Sequence, residues 1–117
     1  MAITPWWLLD NLLVAGSSVD YTMSMNFEWD ENKSEVCFAE RGFDFAYVVQ
    51  AFIDHNRLIK KDTRWDYGEE RYQLLGSIEQ RVFFVAYTLR GTSIRIISAR
   101  KANQREVNHY ENSKNKY

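Results

Sequence analysis

Three segments set the architecture of this chain, because each has the residue pattern of a strand and the gaps between them are too short for anything but a tight turn. Arg71 to Ile78, Val82 to Leu89 and Ser93 to Ala99 are rich in β-branched and aromatic residues. Only short polar linkers separate them. Turns centred on Glu79-Gln80 and Gly91-Thr92 make them two consecutive antiparallel hairpins, and the register follows by counting. Arg71 then faces Thr88, and Thr88 faces Arg95, in one row across three strands. Arg90 projects from the same face two positions along, because side chains alternate. A one-residue bulge near the row would send one of these arginines to the other side. Val82, Phe83, Phe84, Val85 and Ala86 are apolar on both faces, which marks a central strand covered on each side.

The flanking segments supply the layers that cover such a sheet. Phe27 to Asp30 alternates and reads as a short first strand. Glu31 to Arg41 is free of Gly and Pro and reads as a helix that Gly42 stops in the manner of a C-terminal cap. Asp44 is placed to cap a second helix, in which Phe45, Val48, Val49 and Phe52 recur at i, i+3, i+4 and i+7. Asp54 to Asn56 reads as a turn, Arg57 to Ile59 as an edge strand, and Lys101 to Asn112 as a closing helix. The expectation is a single α+β domain over residues 25–117, a short antiparallel sheet packed with two N-terminal helices and a C-terminal helix. Residues 1–24 read as a loosely attached amphipathic extension. Asp10 interrupts their apolar patch, no Lys or Arg precedes it, and the stretch is short of the ~20 residues that span a bilayer. Met23 and Met25 are alternative starts of the domain.

Composition narrows the function classes. Of 117 residues 45% are hydrophobic and 15% aromatic, enough for a core without disulfides or a structural metal. Cys37 is the single cysteine and His55 and His109 the two histidines, with no HExxH or CxxC spacing. These counts point away from a zinc site and fit a reducing cytoplasm. The net charge of −1 hides an asymmetry: after residue 80, eight basic residues stand against two acidic ones. A basic end on an acidic body suits a polyanion or an acidic protein partner, and equally a solvated surface.

Like charges side by side on a sheet destabilise it, so a row of Arg71, Arg95 and Arg90 calls for an anion. A phosphodiester is one candidate, since guanidinium forks match phosphate oxygens and would stabilise the added charge of a pentavalent transition state. An internal carboxylate, Asp62, Glu69 or Glu70, is the other. Lys33, Cys37, Glu40 and Arg41 fall on one helix face. There Lys33 reads as a phosphate clamp or proton donor, with Glu40 as a possible base, or the set is a solvated ion-pair stripe.

Phe27-Glu28-Trp29-Asp30 followed by Lys33, then Gly42 and Phe45, the run Gly68-Glu69-Glu70-Arg71-Tyr72 with Gly76, Tyr87-Thr88-Leu89-Arg90, and Arg95 to Ala102 with Glu106 and Tyr110 resemble the BrnT toxins. The likeness covers roughly Asn26 to Tyr110. It implies a RelE-like fold and a translation-inhibiting ribonuclease of a type II toxin-antitoxin system that works without metal or other cofactor. It also implies neutralisation by a BrnA-type antitoxin, through which DNA is touched indirectly, and no membrane partner. Carried over by position, Lys33, Arg71, Arg90, Arg95, Arg100 and Lys101 match charged motif positions; with the sheet row and the helix face, Lys33, Arg71, Arg90 and Arg95 are the expected catalytic residues, and Arg41, Thr88, Arg100 and Lys101 the expected RNA contacts. One stretch departs from the pattern: where the family has an Asn and then a Lys-His pair, this chain has Cys37, Glu40 and Arg41. The change removes the side chain best suited to proton transfer near neutrality. A catalytically impaired homologue that binds its antitoxin and acts as co-repressor is therefore the alternative.

Overall fold

A computed structural model of the chain describes residues 2–3 and 26–114. In order, the elements are β1 (Ala2–Ile3), β2 (Asn26–Trp29), α1 (Glu31–Arg41), α2 (Phe45–Val48), a 3-10 turn (Val49–Ile53), β3 (Leu58–Asp62), β4 (Arg71–Ile78), β5 (Arg81–Arg90), β6 (Ser93–Lys101) and α3 (Gln104–Lys114). The fold is α+β. Five strands run β2-β6-β5-β4-β3, and the two-residue β1 extends the sheet at the β2 edge. Most of the segment read as an N-terminal extension lies outside the described residues.

The hairpins form where the turn residues put them. Ile78 pairs with Arg81 and Arg90 with Ser93, so Glu79-Gln80 and Gly91-Thr92 are the two-residue loops. Glu79 and Gln80 both take positive φ, 50° and 69°, as does Gly91 at 61°. Such turns match the right-handed twist of the strands they join. The sheet is mixed, however, and not purely antiparallel: β2 lies parallel to β6, with Phe27 beside Ile94 and Glu28 beside Arg95. A parallel pair cannot be closed by a hairpin, and here most of the domain lies between the two strands, so no local pattern announces it.

The helices meet their expected caps. The Asp30 carboxylate accepts from the Lys33 amide at the start of α1, and Gly42, at φ 85°, ends it with its N–H donating to Phe38 O. Asp44 caps α2 by accepting from the Tyr47 amide. The segment expected as one helix from Asp44 through Phe52 instead tightens after Val48 into the 3-10 turn. Two consecutive β-branched residues, Val48 and Val49, disfavour a further α turn, and a short 3-10 piece is the usual end for such a helix. All four stripe residues, Phe45, Val48, Val49 and Phe52, are nonetheless buried.

The core lies between these helices and one face of the sheet. Leu74, Phe83, Val85, Tyr87, Ile94, Ile96 and Ala99 pack there against Phe43, Phe45, Val48 and Phe52. Phe43 meets Phe83 edge-on at 5.0 Å between ring centres, and Phe52 meets both Phe27 and Tyr87 at 5.1 Å. A buried Ser34 hydroxyl accepts from the Phe45 amide at 3.0 Å and fixes α1 to α2. Beyond the sheet, α3 is anchored by Tyr110, whose hydroxyl donates to Asp54; the same carboxylate oxygen accepts from the Ser77 amide at 2.8 Å. Asp54 thus joins the 3-10 turn, β4 and α3 at one point.

Candidate functional site

On the face of the sheet away from α1 and α2, Arg71, Thr88 and Arg95 are cross-strand partners in one row, and Arg90 follows two positions from Thr88. The row continues past both ends. Asp62 on β3 opposes Arg71, and Glu28 on β2 opposes Arg95. Three guanidinium groups are thereby gathered on neighbouring strands with a carboxylate at each end.

The carboxylates differ in what they hold. Asp62 is taken up by Arg64, in two hydrogen bonds of 2.9 and 3.0 Å, and by the Tyr67 hydroxyl at 3.0 Å. Those bonds, Arg64 first, keep its carboxyl well below the usual carboxylate range. Glu70 accepts from Lys61 and from the Tyr72 hydroxyl, both at 2.9 Å, and is likewise held low, chiefly by Lys61. Glu69, in contrast, stands between two members of the row, 3.5 Å from Arg71 Nε and 3.6 Å from Arg90 Nη2, and Glu28 stands 3.8 Å from Arg95. At these separations the charges attract but no hydrogen bond closes. Arg71 Nε is buried without a hydrogen-bond partner, and the same guanidinium lies 4.2 Å over the Tyr67 ring. Of the three internal carboxylates that sequence offered as counter-ions, Glu69 is the one that sits there.

Thr88 has a different part from the one expected of it. It is 1% exposed, and its hydroxyl donates to the Glu70 carbonyl at 2.6 Å. It spaces the arginines and ties down the loop that carries Glu69, and it does not present a surface hydroxyl.

A model described as the ribonuclease toxin BrnT of type II toxin-antitoxin systems matches residues 29–106. The chain belongs to the BrnT family. No curated protein matches it. The BrnT match takes in α1 and α2, the whole β3-β4-β5-β6 meander and the start of α3, and therefore every arginine of the row. The family is one of ribonuclease toxins, and a type II toxin is paired with an antitoxin. Among the described residues no helix is long and apolar enough to cross a membrane.

The remaining motif positions of this BrnT chain are distributed elsewhere. Lys33 and Arg41 line a groove between α1 and the Ile97–Ala99 segment of β6, together with Val36 and Cys37. Glu40, on the exposed side, stands 3.7 Å from Arg41. Cys37 is buried with its thiol directed at the Ala99 carbonyl, 3.7 Å away, and burial pushes the thiol's pKa up, which disfavours the thiolate. Arg100 lies over the Phe84 ring and grips Glu106 with two hydrogen bonds, which tie β6 to α3. Lys101, opposite Phe83, emerges on the helix side of the sheet.

Two neighbours of the row escaped the sequence. Glu28 was hidden because its place depends on the parallel β2-β6 pairing, between segments distant in the chain. Tyr67 lies in a loop with no period to read. For Glu69 a signal existed, its position two residues before Arg71 at the mouth of a strand.

Proposed function

We propose that this chain is a metal-independent endoribonuclease with a RelE-like fold. In this reading Arg71, Arg90 and Arg95 bind the scissile phosphate of an RNA, and Thr88 holds them in place. The observation that carries the reading is the row itself: three guanidinium groups on adjacent strands, none with a closed side-chain hydrogen bond among the described residues, faced by two carboxylates at ion-pair distance. A phosphate offers several acceptor oxygens at once and satisfies donors that Glu69 and Glu28 leave open.

The chemistry is transesterification within the substrate. The 2′-oxygen bonds to its neighbouring phosphorus, the bond from phosphorus to the 5′-oxygen breaks, and a 2′,3′-cyclic phosphate and a 5′-hydroxyl result. The 2′-hydroxyl proton passes to solvent and the leaving oxygen takes one back. The arginines stabilise the charge that accumulates on the equatorial oxygens, and fixed cations aimed at developing charge are the strongest aid to catalysis that such a site offers. Lys33 and Arg41 line a separate groove, Arg100 is held by Glu106, and Lys101 is on the other face, so the proposed RNA site is the row alone. Cutting messenger RNA would inhibit translation and growth in the cytoplasm. A BrnA-type antitoxin would neutralise the toxin and carry any DNA contact.

Incubation of the purified chain with a defined RNA in EDTA tests this. Fragments ending in 2′,3′-cyclic phosphate are expected, and intact RNA after prolonged incubation would overturn the assignment.

A second reading has its own observation. Glu40 and Arg41 form an ion pair where the family motif has Lys-His, and Glu28 and Glu69 already occupy part of the cationic field. A chain of that kind would bind its antitoxin and help repress the operon without cutting. Expression without the antitoxin separates the two, since growth arrest excludes the non-cutting form.

A further inference from the structure

The basic surplus at the end of the chain is divided between two surfaces. Arg90 and Arg95 join Arg71 on the row, whereas Arg81 and Lys101 come out on the opposite face, where Lys101 stands across from Phe83 and Arg81 lies two positions before it. There they meet Arg41 around a groove of about 510 Å³ floored by the buried rings of Phe43 and Phe83. Both carboxylates in that groove are already engaged: Asp44 caps α2, and Glu79 accepts from the Tyr47 hydroxyl at 2.9 Å. Arg81 and Lys101 have no carboxylate within ion-pair distance among the described residues.

The flank of α1 over this groove exposes an apolar ring. Phe38 is 57% exposed at the rim of this groove, whereas Val36, two positions back and so on the opposite flank of the helix, is 53% exposed beside a separate groove that Lys33 lines. A large exposed ring beside two cations, Arg81 and Lys101, that have no carboxylate partner among the described residues marks a surface suited to a protein partner.

We infer that the groove bounded by Phe38, Arg41, Lys101 and Arg81 is where the antitoxin docks, through an acidic segment with an apolar side chain that covers Phe38. This rests on membership of a toxin family and not on the row being the RNA site. Taken with the proposed RNA site, it puts the two tasks of the toxin on opposite faces of one sheet.

The test uses the full chain and its separately purified antitoxin, with affinity read by biolayer interferometry and folding checked by thermal melting. Arg81→Glu and Phe38→Ser are each expected to weaken antitoxin binding tenfold or more. Arg105→Glu, on exposed α3, should stay within twofold, and RNA cleavage by the free variants should match that of the unaltered chain. Antitoxin affinity unchanged in a folded Arg81→Glu variant overturns the inference. So does an Arg81→Glu variant that loses RNA binding while keeping its antitoxin, which would give the groove to RNA. Because affinity is read directly, the result stands whether or not the chain cuts RNA.

Discussion

Arg100 and Glu106 close a two-pronged ion pair, with Nη1 and Nη2 donating to the two carboxylate oxygens at 2.8 and 3.0 Å, and so fasten the last strand to the last helix. Glu106 also accepts from the Asn103 amide at 2.9 Å while Asn103 accepts from the Glu106 amide, a reciprocal cap at the start of α3. Arg100→Ala is therefore expected to lower stability by roughly 1 kcal/mol, between the values usual for exposed ion pairs and for charge-assisted bonds, given the partial exposure of the pair. RNA affinity should be unaffected. Chemical denaturation alongside an RNA-binding titration checks both halves.

The same pair gives an acid dependence. Arg100, ahead of the Asn103 amide, holds the Glu106 carboxyl below its ordinary value of 4.5, so the folded state favours the ionised form. A carboxyl depressed on folding stabilises the protein above its unfolded pKa, and that contribution is lost as pH falls through the folded one. Asp62 and Glu70 act in the same direction. Melting temperature should fall as pH drops below about 4.5, and Glu106→Gln should flatten that fall. An unchanged slope would show that the pair adds nothing to acid stability.

Gly76 is fixed by a close approach and not by its backbone angles. A Cβ there would lie 2.5 Å from the Ala51 carbonyl oxygen and 2.9 Å from Ala51 Cβ, because the 3-10 turn presses directly onto β4. Gly76→Ala must push backbone away from backbone. A loss of about 2 kcal/mol or more is expected in equilibrium unfolding, within the usual range for overpacking.

How far the sequence could be read depended on the distance over which each feature is determined. The Arg71–Thr88–Arg95 row was legible because two-residue turns and strict alternation are local, and both turns fell at Glu79-Gln80 and Gly91-Thr92. Helix α1 and its Gly42 stop were legible for the same reason. The β2-β6 pairing was not, and with it went the place of Glu28 beside Arg95. A bulge in β6 was equally silent: Ala86 pairs with Ser98 and Tyr87 with Ile96, leaving Ile97 as the extra residue. By alternation from Arg95, Arg100 would face the helices α1 and α2. The extra residue turns it to the side where Phe84 and Glu106 wait, and turns Lys101 the other way. Because the bulge falls beyond the paired Arg95, the row is left intact.

The most direct test of the account is single-turnover RNA cleavage by the Arg71→Ala, Arg95→Ala double variant, with its fold verified by circular dichroism and thermal melting. The row predicts a loss of a hundredfold or more, at least about 2.7 kcal/mol of transition-state stabilisation, in a protein that still melts cooperatively. Cleavage at the unaltered rate in that folded variant would contradict it.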